Sequence, residues 1–357
     1  MFQEDSMTVS IIVPVFNARK YLARTARDLL RQTYHRIEVI FVDDGSTDGS
    51  GRMLDRLAGY DERVCVLHQK NGGTACARNA GLAAASGAYI MFMDDDDRVP
   101  KGYVQEYVTE IERTGADLVI GGYRRISPEG KTLFTRRLAK SRRINPEDGK
   151  DDSRGGPRRN VMDMQRGEAQ GSREPEWPAF INVSPWAKIY RRRFVERCGA
   201  HFLEYPYGED IFFQMMLQAG KPLIAYSDSV SYGWVDHKES ISNTVHKGIR
   251  EEADIFPMLD KVLEVHPERG DLFRYFLYRH CAYHLYVSGR EADRVRLEEE
   301  FRRCRQWLRE NDLLPVISPF SCQLRGEILR DRVAVQVIRM TSRLHLEHIF
   351  ARIYGRG

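Results

Sequence analysis

Tyr89-Ile90-Met91-Phe92-Met93-Asp94-Asp95-Asp96-Asp97 sets five apolar residues directly against four carboxylates. The apolar run has the length of a buried strand. Acidic residues that follow such a strand lie at its carboxyl end, where open α/β sheets collect ligands. Four adjacent carboxylates repel one another, and a divalent cation relieves that repulsion. Alternation along an extended chain puts Asp94 and Asp96 on one side, suiting one to a nucleotide and one to a metal. The same pattern lies upstream, where Val39-Ile40-Phe41-Val42 runs into Asp43-Asp44-Gly45-Ser46-Thr47-Asp48. A carboxylate there can accept from a base N–H or a ribose hydroxyl. Gly45 permits a sharp turn, and Ser46 or Asp48 can cap the helix that follows. A capped turn with no ligand is the alternative reading of the same residues.

Working outward, short apolar runs at Val9-Val15, Ile37-Val42, Arg63-Leu67 and Tyr89-Met93 alternate with segments of helical period at Tyr21-Gln32, Ser50-Ala58 and Thr74-Ala85. Leu22, Ala26, Leu29 and Leu30 recur three or four apart, as one face of a helix requires. The alternation predicts parallel strands with crossover helices, a Rossmann-like α/β half spanning 1–122. Residues 123–176 are rich in Arg, Lys, Asp, Gly and Ser and poor in apolar side chains. Such a segment buries too little surface to offset its ordering entropy, so a mobile basic loop is expected there. Ordered signals return over 177–249, and 250–357 reads as a helical C-terminal region. Within it Leu272-Tyr286 (LFRYFLYRHCAYHLY) has the aromatic density of a helix core.

Between the acidic clusters stands Asn71-Gly72-Gly73-Thr74-Ala75-Cys76-Ala77-Arg78-Asn79-Ala80-Gly81. Its glycines allow close backbone approach to a ligand, and Arg78, one turn into the next helix, can pair with a phosphate. The Gly-x-Gly-x-x-Gly fingerprint and the Walker lysine loop are both missing, which counts against a nicotinamide dehydrogenase. The charges, 55 basic against 51 acidic, leave +4, too small a bias for a nucleic-acid binder. The six cysteines contain no Cys-x-x-Cys pair and read as reduced thiols. The N-terminus is acidic without an apolar signal core, and no stretch approaches the ~20 apolar residues that span a bilayer. The cytosol is the expected compartment. In the stretch 322–357 aliphatic residues alternate with arginines, a pattern that fits either a peripheral helix at the inner face of a membrane or a solvated helix face.

Taken together, these pieces resemble the family 2 glycosyltransferases, the inverting family with the GT-A fold, in its bacterial type. The matching features are Val9 to Asn17 (VSIIVPVFN), Gln32-Thr33, Val42 to Asp48 (VDDGSTD), Asn71-x-Gly73, Ala77-Arg78-Asn79-x-Gly81, and Phe92-x-Asp94-x-Asp96-Asp97 followed by Pro100. The resemblance implies a Rossmann-like nucleotide-binding half, a mixed central sheet flanked by helices, and a mainly helical C-terminal extension. It implies a donor site made by Pro14, Val15, Phe16, Asn17, Asp43, Asp44, Asn71, Gly73, Arg78, Asp94 and Asp95. A divalent metal, Mn2+ or Mg2+, is then expected on Asp96, with Asp94, Asp97 and His237 as further ligands. The family commonly has a non-acidic residue where Asp95 stands, which leaves the register of the Asp-x-Asp motif open. Trp186-Ala187-Lys188-Ile189-Tyr190 and Gly208-Glu209-Asp210-Ile211-Phe212-Phe213 resemble acceptor-side motifs. They imply Trp186, Lys188 and Trp234 beside the acceptor and Asp210, with Glu209 second, as the base; a helix cap reads Glu209-Asp210 as well. Trp234, His237 and Ser240-Ile241-Ser242 resemble a closing element over the donor phosphates.

The implied reaction moves a sugar from a nucleotide diphosphate, a UDP-sugar in the commonest case, to a hydroxyl of a saccharide or lipid-linked acceptor in cell-surface polysaccharide or glycolipid synthesis. Two alternatives stand beside it. A sugar-nucleotide pyrophosphorylase would need a basic glycine-rich loop after the first strand, where this chain has Pro14-Val15-Phe16-Asn17. A non-catalytic partner protein could keep the fold without the reaction.

Overall fold

A computed structural model describes residues 7–138, 180, 182–206, 208–237, 249, 254–266, 269–313, 317–324 and 327–356. These fall into two compact units. The first draws on Met1–Arg173, Ser184–Glu204 and Met216–Asp236, the second on Glu174–Val183, Tyr205–Met215 and His237–Gly357.

In the first unit the expected alternation is present as β1 (Val9–Val15), α1 (Arg19–Leu30), β2 (Ile37–Asp43), α2 (Ser50–Ala58), β3 (Val64–His68), α3 (Thr74–Ala84) and β4 (Tyr89–Phe92). It continues through α4 (Tyr103–Thr114), β5 (Leu118–Ile120), β6 (Tyr123–Ile126), β7 (Thr132–Arg136), β8 (Lys188–Arg191), α5 (Arg192–Arg197), β9 (Ile224–Tyr226) and β10 (Tyr232–Val235). The main sheet runs β3-β2-β1-β4-β8-β5-β9. Strand β1 is parallel to β2 and β4, whereas β8 is antiparallel to β4 and β5, so the sheet is mixed. Because helices cover both faces, β4 is a continuous apolar run and β1 is apolar save for buried Ser10, without polar alternation. Val9, Ile11, Val13 and Val15 pack in one core with Leu22, Ala26 and Leu29 of α1. On the other face α3 lies so close to β1 that a Cβ on Gly81 would sit 2.4 Å from Ile12 Cγ2.

Glu38, in β2, ties that strand to the turn before β4. Its carboxylate accepts from Ser10 Oγ at 2.5 Å, Ser86 N at 2.7 Å and Gly87 N at 3.0 Å. Burial alone would raise this carboxyl, but the hydrogen bonds from Ser10, Ser86 and Gly87 outweigh it and hold it below its usual value. A depressed folded pKa gives stability that is present above the unfolded pKa and lost as pH falls through the folded one. Glu38→Gln is therefore expected to cost about 1–3 kcal/mol at neutral pH. In urea titrations the difference from wild type should shrink as pH falls below the ordinary carboxylate range.

The mobile loop expected from Tyr123 needs correction as far as Arg136. There β6 and β7 form an antiparallel pair, and β6 pairs in parallel with β10 in a second sheet ordered β10-β6-β7. Composition missed it because β10, more than a hundred residues downstream, supplies the backbone partners. The rest of that interval, 139–176, lies outside the described residues, as do Ser240, Ile241 and Ser242.

The second unit is helical, with α7 (Phe256–Val265), α8 (Asp271–Val287), α9 (Arg294–Glu310), α10 (Leu329–Leu344) and α11 (Glu347–Tyr354). Tyr275, Phe276 and Tyr278 of α8 are buried, as the aromatic density of that stretch predicts. His284 and Glu300 meet at 2.9 Å inside the packing of α8 on α9, and Asp293 caps α9 by accepting from Arg296 N. No helix among the described residues is long and apolar enough to cross a membrane.

Candidate active site

Strand β4 ends at Phe92, and the four aspartates form a turn, with Asp97 N donating to Asp94 O at 3.3 Å. The strand-like alternation expected of Asp94 and Asp96 does not apply, because the backbone has already left the sheet. Three remote side chains hold this turn. Arg24 Nη2 donates to Asp96 O at 2.9 Å and Thr25 Oγ1 to Asp95 O at 2.7 Å, both from α1. Tyr232 of β10 donates to Asp97 Oδ2 at 2.5 Å. None of the three was singled out from sequence, since their roles depend on packing and no local motif marks them.

The four carboxylates have different situations. Asp97 has no exposed surface, and its Oδ1 accepts from Val235 N at 2.8 Å. Asp97, expected as a further metal ligand, accepts at both oxygens from Tyr232 and Val235 and fastens the turn to β10. Asp94 pairs with Arg78 Nη2 at 3.0 Å, and the Arg78 guanidinium lies over the Phe202 ring at 5.2 Å. Asp95 Oδ2 accepts from Phe16 N at 3.3 Å, and burial, then Asp96 and Asp94, push its carboxyl well above the usual range. Asp96 is pushed up to about 6 by burial and then by Asp94. A cation beside Asp94 and Asp96 would favour their ionised forms.

This donor set fits a divalent ion shared with a ligand. No group of three or more His, Cys, Asp or Glu side chains is placed to hold a metal among the described residues. Mg2+ commonly needs only one or two carboxylates when substrate phosphates complete its shell.

At the end of β1 Phe16 is 51% exposed, offering a ring face for a base. Val15, expected in the donor site, buries its side chain in the core, and its carbonyl accepts from Asp44 N at 2.9 Å. Pro14 beside it is partly exposed. Asn17, at φ +52°, accepts from Thr47 N at 2.8 Å and clasps the β1 and β2 loops together. Asp43 accepts from Ser46 N and meets His68 Nδ1 at 2.9 Å, so it builds the loop from beneath. Asp44 accepts from Gly72 N at 2.9 Å and Gly73 N at 2.8 Å, joining the two glycine-bearing loops. Gly45, at φ +78°, leaves no room for a side chain, since a Cβ would lie 2.9 Å from Asn71 N. Asn71 itself is exposed at this rim.

Around β10 the aromatic side chains form a cluster. Trp186 stacks on Tyr232 with centroids 4.7 Å apart and is itself buried, which makes it a support rather than an open acceptor platform. Lys188 of β8, expected on the acceptor side, has no exposed surface, and its ammonium donates to Ser184 O. Trp234 is partly exposed, with Arg125 5.0 Å over its ring, and remains the acceptor-side candidate. Glu209 and Asp210 open α6 (Glu209–Ala219) and are partly exposed; with buried His237 they belong to the second unit. Tyr232→Phe would leave buried Asp97 one partner short, an expected loss of ~1–3 kcal/mol, which chemical denaturation would measure.

Parallel strands ending in a carboxylate turn, on a mixed sheet with a helical C-terminal part, define a GT-A-type fold. Residues 10–177, somewhat less than half of the chain, match the family model described as "Glycosyl transferase family 2". It is 44% identical over 119 residues to glycosyltransferase GlyG of Streptococcus pneumoniae serotype 4, covering 33% of this chain and 40% of that one. It is 31% identical over 245 residues to the uncharacterized glycosyltransferase EpsJ of Bacillus subtilis, covering 68% and 65%. Over these alignments the chain spans less than two thirds of either relative. Among solved structures, S. aureus TarS 1-349 in complex with UDP-GlcNAc superposes with a TM-score of 0.61 at 18% identity, over 95% of this chain and 92% of that one.

Proposed function

We propose that this chain transfers a sugar, with inversion, from a UDP-sugar to an acceptor hydroxyl of a saccharide or lipid-linked molecule in cell-surface polysaccharide synthesis. The observation that carries the reading is the turn after β4, where Asp94, paired with Arg78, and Asp96 stand at the carboxyl edge of a nucleotide-binding sheet. Phe16 and the Asp44 loop would receive the base and ribose, and Arg78 the ribose or diphosphate. Asp96 and Asp94 would hold Mn2+ or Mg2+ together with diphosphate oxygens, and the ion would offset charge on the departing diphosphate. Asp210 would take the acceptor proton as the hydroxyl attacks the anomeric carbon opposite the leaving group, with Glu209 beside it. His237 would touch the metal or pyrophosphate. In this reading 1–122 is the donor half, 177–249 the acceptor half, and 250–357 a helical extension.

Support comes from the family match and from the S. aureus TarS structures in complex with UDP and with UDP-GlcNAc. Calorimetric titration with a panel of nucleotide diphosphate sugars, with and without Mn2+, tests the proposal. Metal-dependent binding of a uridine donor is the expected result. Silence across the panel would favour a partner protein that keeps the fold without the reaction.

A further inference from the structure

Helix α10 is apolar on two opposite sides. Val335 and Ile338 are buried on one, where Asp331 also reaches Arg279 of α8 at 3.5 Å and Arg332 donates to the Pro319 carbonyl at 3.1 Å. On the other side Leu329, Val333, Val337, Met340 and Leu344 recur at steps of four, four, three and four residues and are each 49–61% exposed. Single exposed aliphatics are ordinary, but five in helical register along all 16 residues form a continuous stripe. The described fold covers one apolar side of this helix and leaves the other to solvent.

The charges beside the stripe select what covers it. Helix α10 carries four arginines, Arg330, Arg332, Arg339 and Arg343, against the single carboxylate of Asp331. At about 100° per residue, Arg330 falls on one margin of the stripe and Arg343 on the other, with Arg339 further round toward the buried side. Arg330 and Arg343 are exposed and Arg339 is partly so. The next helix repeats the combination on a smaller scale, with Ile349 43% and Ile353 74% exposed beside exposed Arg352. A second copy of this chain would set like charges against one another along both margins, whereas an anionic bilayer offers acyl chains to the stripe and phosphates to the arginines.

We propose that the outward face of α10 is a docking surface for an anionic phospholipid membrane, on which the chain lies without crossing. The helix would rest in the plane of the interface, Val333 and Val337 at its centre reaching the acyl boundary and Arg330 and Arg343 at the headgroups. This does not rest on the glycosyl-transfer reading, since the lipid surface and the carboxylate turn use different residues.

The test is co-sedimentation of the full chain with vesicles of phosphatidylcholine alone and of phosphatidylcholine with phosphatidylglycerol, at low and at high salt, with sedimentation velocity in parallel. Expected is partitioning onto the anionic vesicles only, weakened by salt, and reduced ~10-fold in Val333→Ser/Val337→Ser and in Arg330→Gln/Arg343→Gln. Both pairs lie on the exposed face, and unchanged circular dichroism and nucleotide binding would show that each variant is folded. Equal partitioning of folded wild type and both variants would overturn the proposal. So would a dimer that the Val→Ser pair dissociates while wild type ignores both vesicles, an outcome that assigns the stripe to a second copy.

Discussion

Asp96→Asn is expected to abolish the metal-stimulated part of donor binding and to lower kcat/KM by roughly 10³-fold, the scale on which removing one preorganised electrostatic contact acts. The substitution keeps the shape of the side chain, and the support of the turn is untouched, because Arg24 and Thr25 grip the backbone carbonyls of Asp96 and Asp95. What is lost is one carboxylate charge beside Asp94. Titration of the variant with a UDP-sugar at rising Mn2+ checks this. Donor affinity that still climbs with Mn2+ as in wild type would remove Asp96 from the proposed metal site. The matched control is Asp97→Asn, whose main effect is expected on stability, because its oxygens are committed to Tyr232 and Val235 within the protein.

The second large effect is expected at Asp210. Asp210→Asn should bind donor as wild type does yet lose transfer by about 10²–10⁴-fold, the range over which a general base contributes. The signature is a fall in kcat with donor KM unchanged, which marks an interaction made only in the transition state. Glu209→Gln serves as comparison. If Glu209→Gln loses transfer and Asp210→Asn retains it, the base is Glu209. Hydrolysis of the donor without acceptor, followed by release of the nucleotide, gives a second readout that separates loss of the base from loss of donor binding.

The legibility of this protein follows the range of its interactions. The apolar runs of β1, β2 and β4 and the helical period of α1 to α3 are local patterns, and the structure places those elements within one or two residues of where periodicity puts them. The Asp43–Asp44 turn, the glycines before α3 and Arg78 are equally local, since each stands directly beside the strand or helix that positions it. Their detailed use was less visible. Asp43 and Asn17 turned out to build the loops, because their hydrogen-bond partners, His68 and Thr47, come from neighbouring elements.

By itself, then, the sequence determined a βα-alternating half with carboxylates at the carboxyl ends of its strands, because side-chain periodicity and adjacency to a strand end are read within a dozen residues. Only the tertiary structure decided that Asp97, of four consecutive aspartates, is the one with no exposed surface, that Val15 and Lys188 face inward, and that Tyr123–Ile126 and Thr132–Arg136 are strands. The physical reason is the same in each case. A buried polar group or an unpaired backbone must find its partner somewhere, and here the partners were distant in sequence: Tyr232 lies 135 residues from Asp97, and β10 more than a hundred from β6.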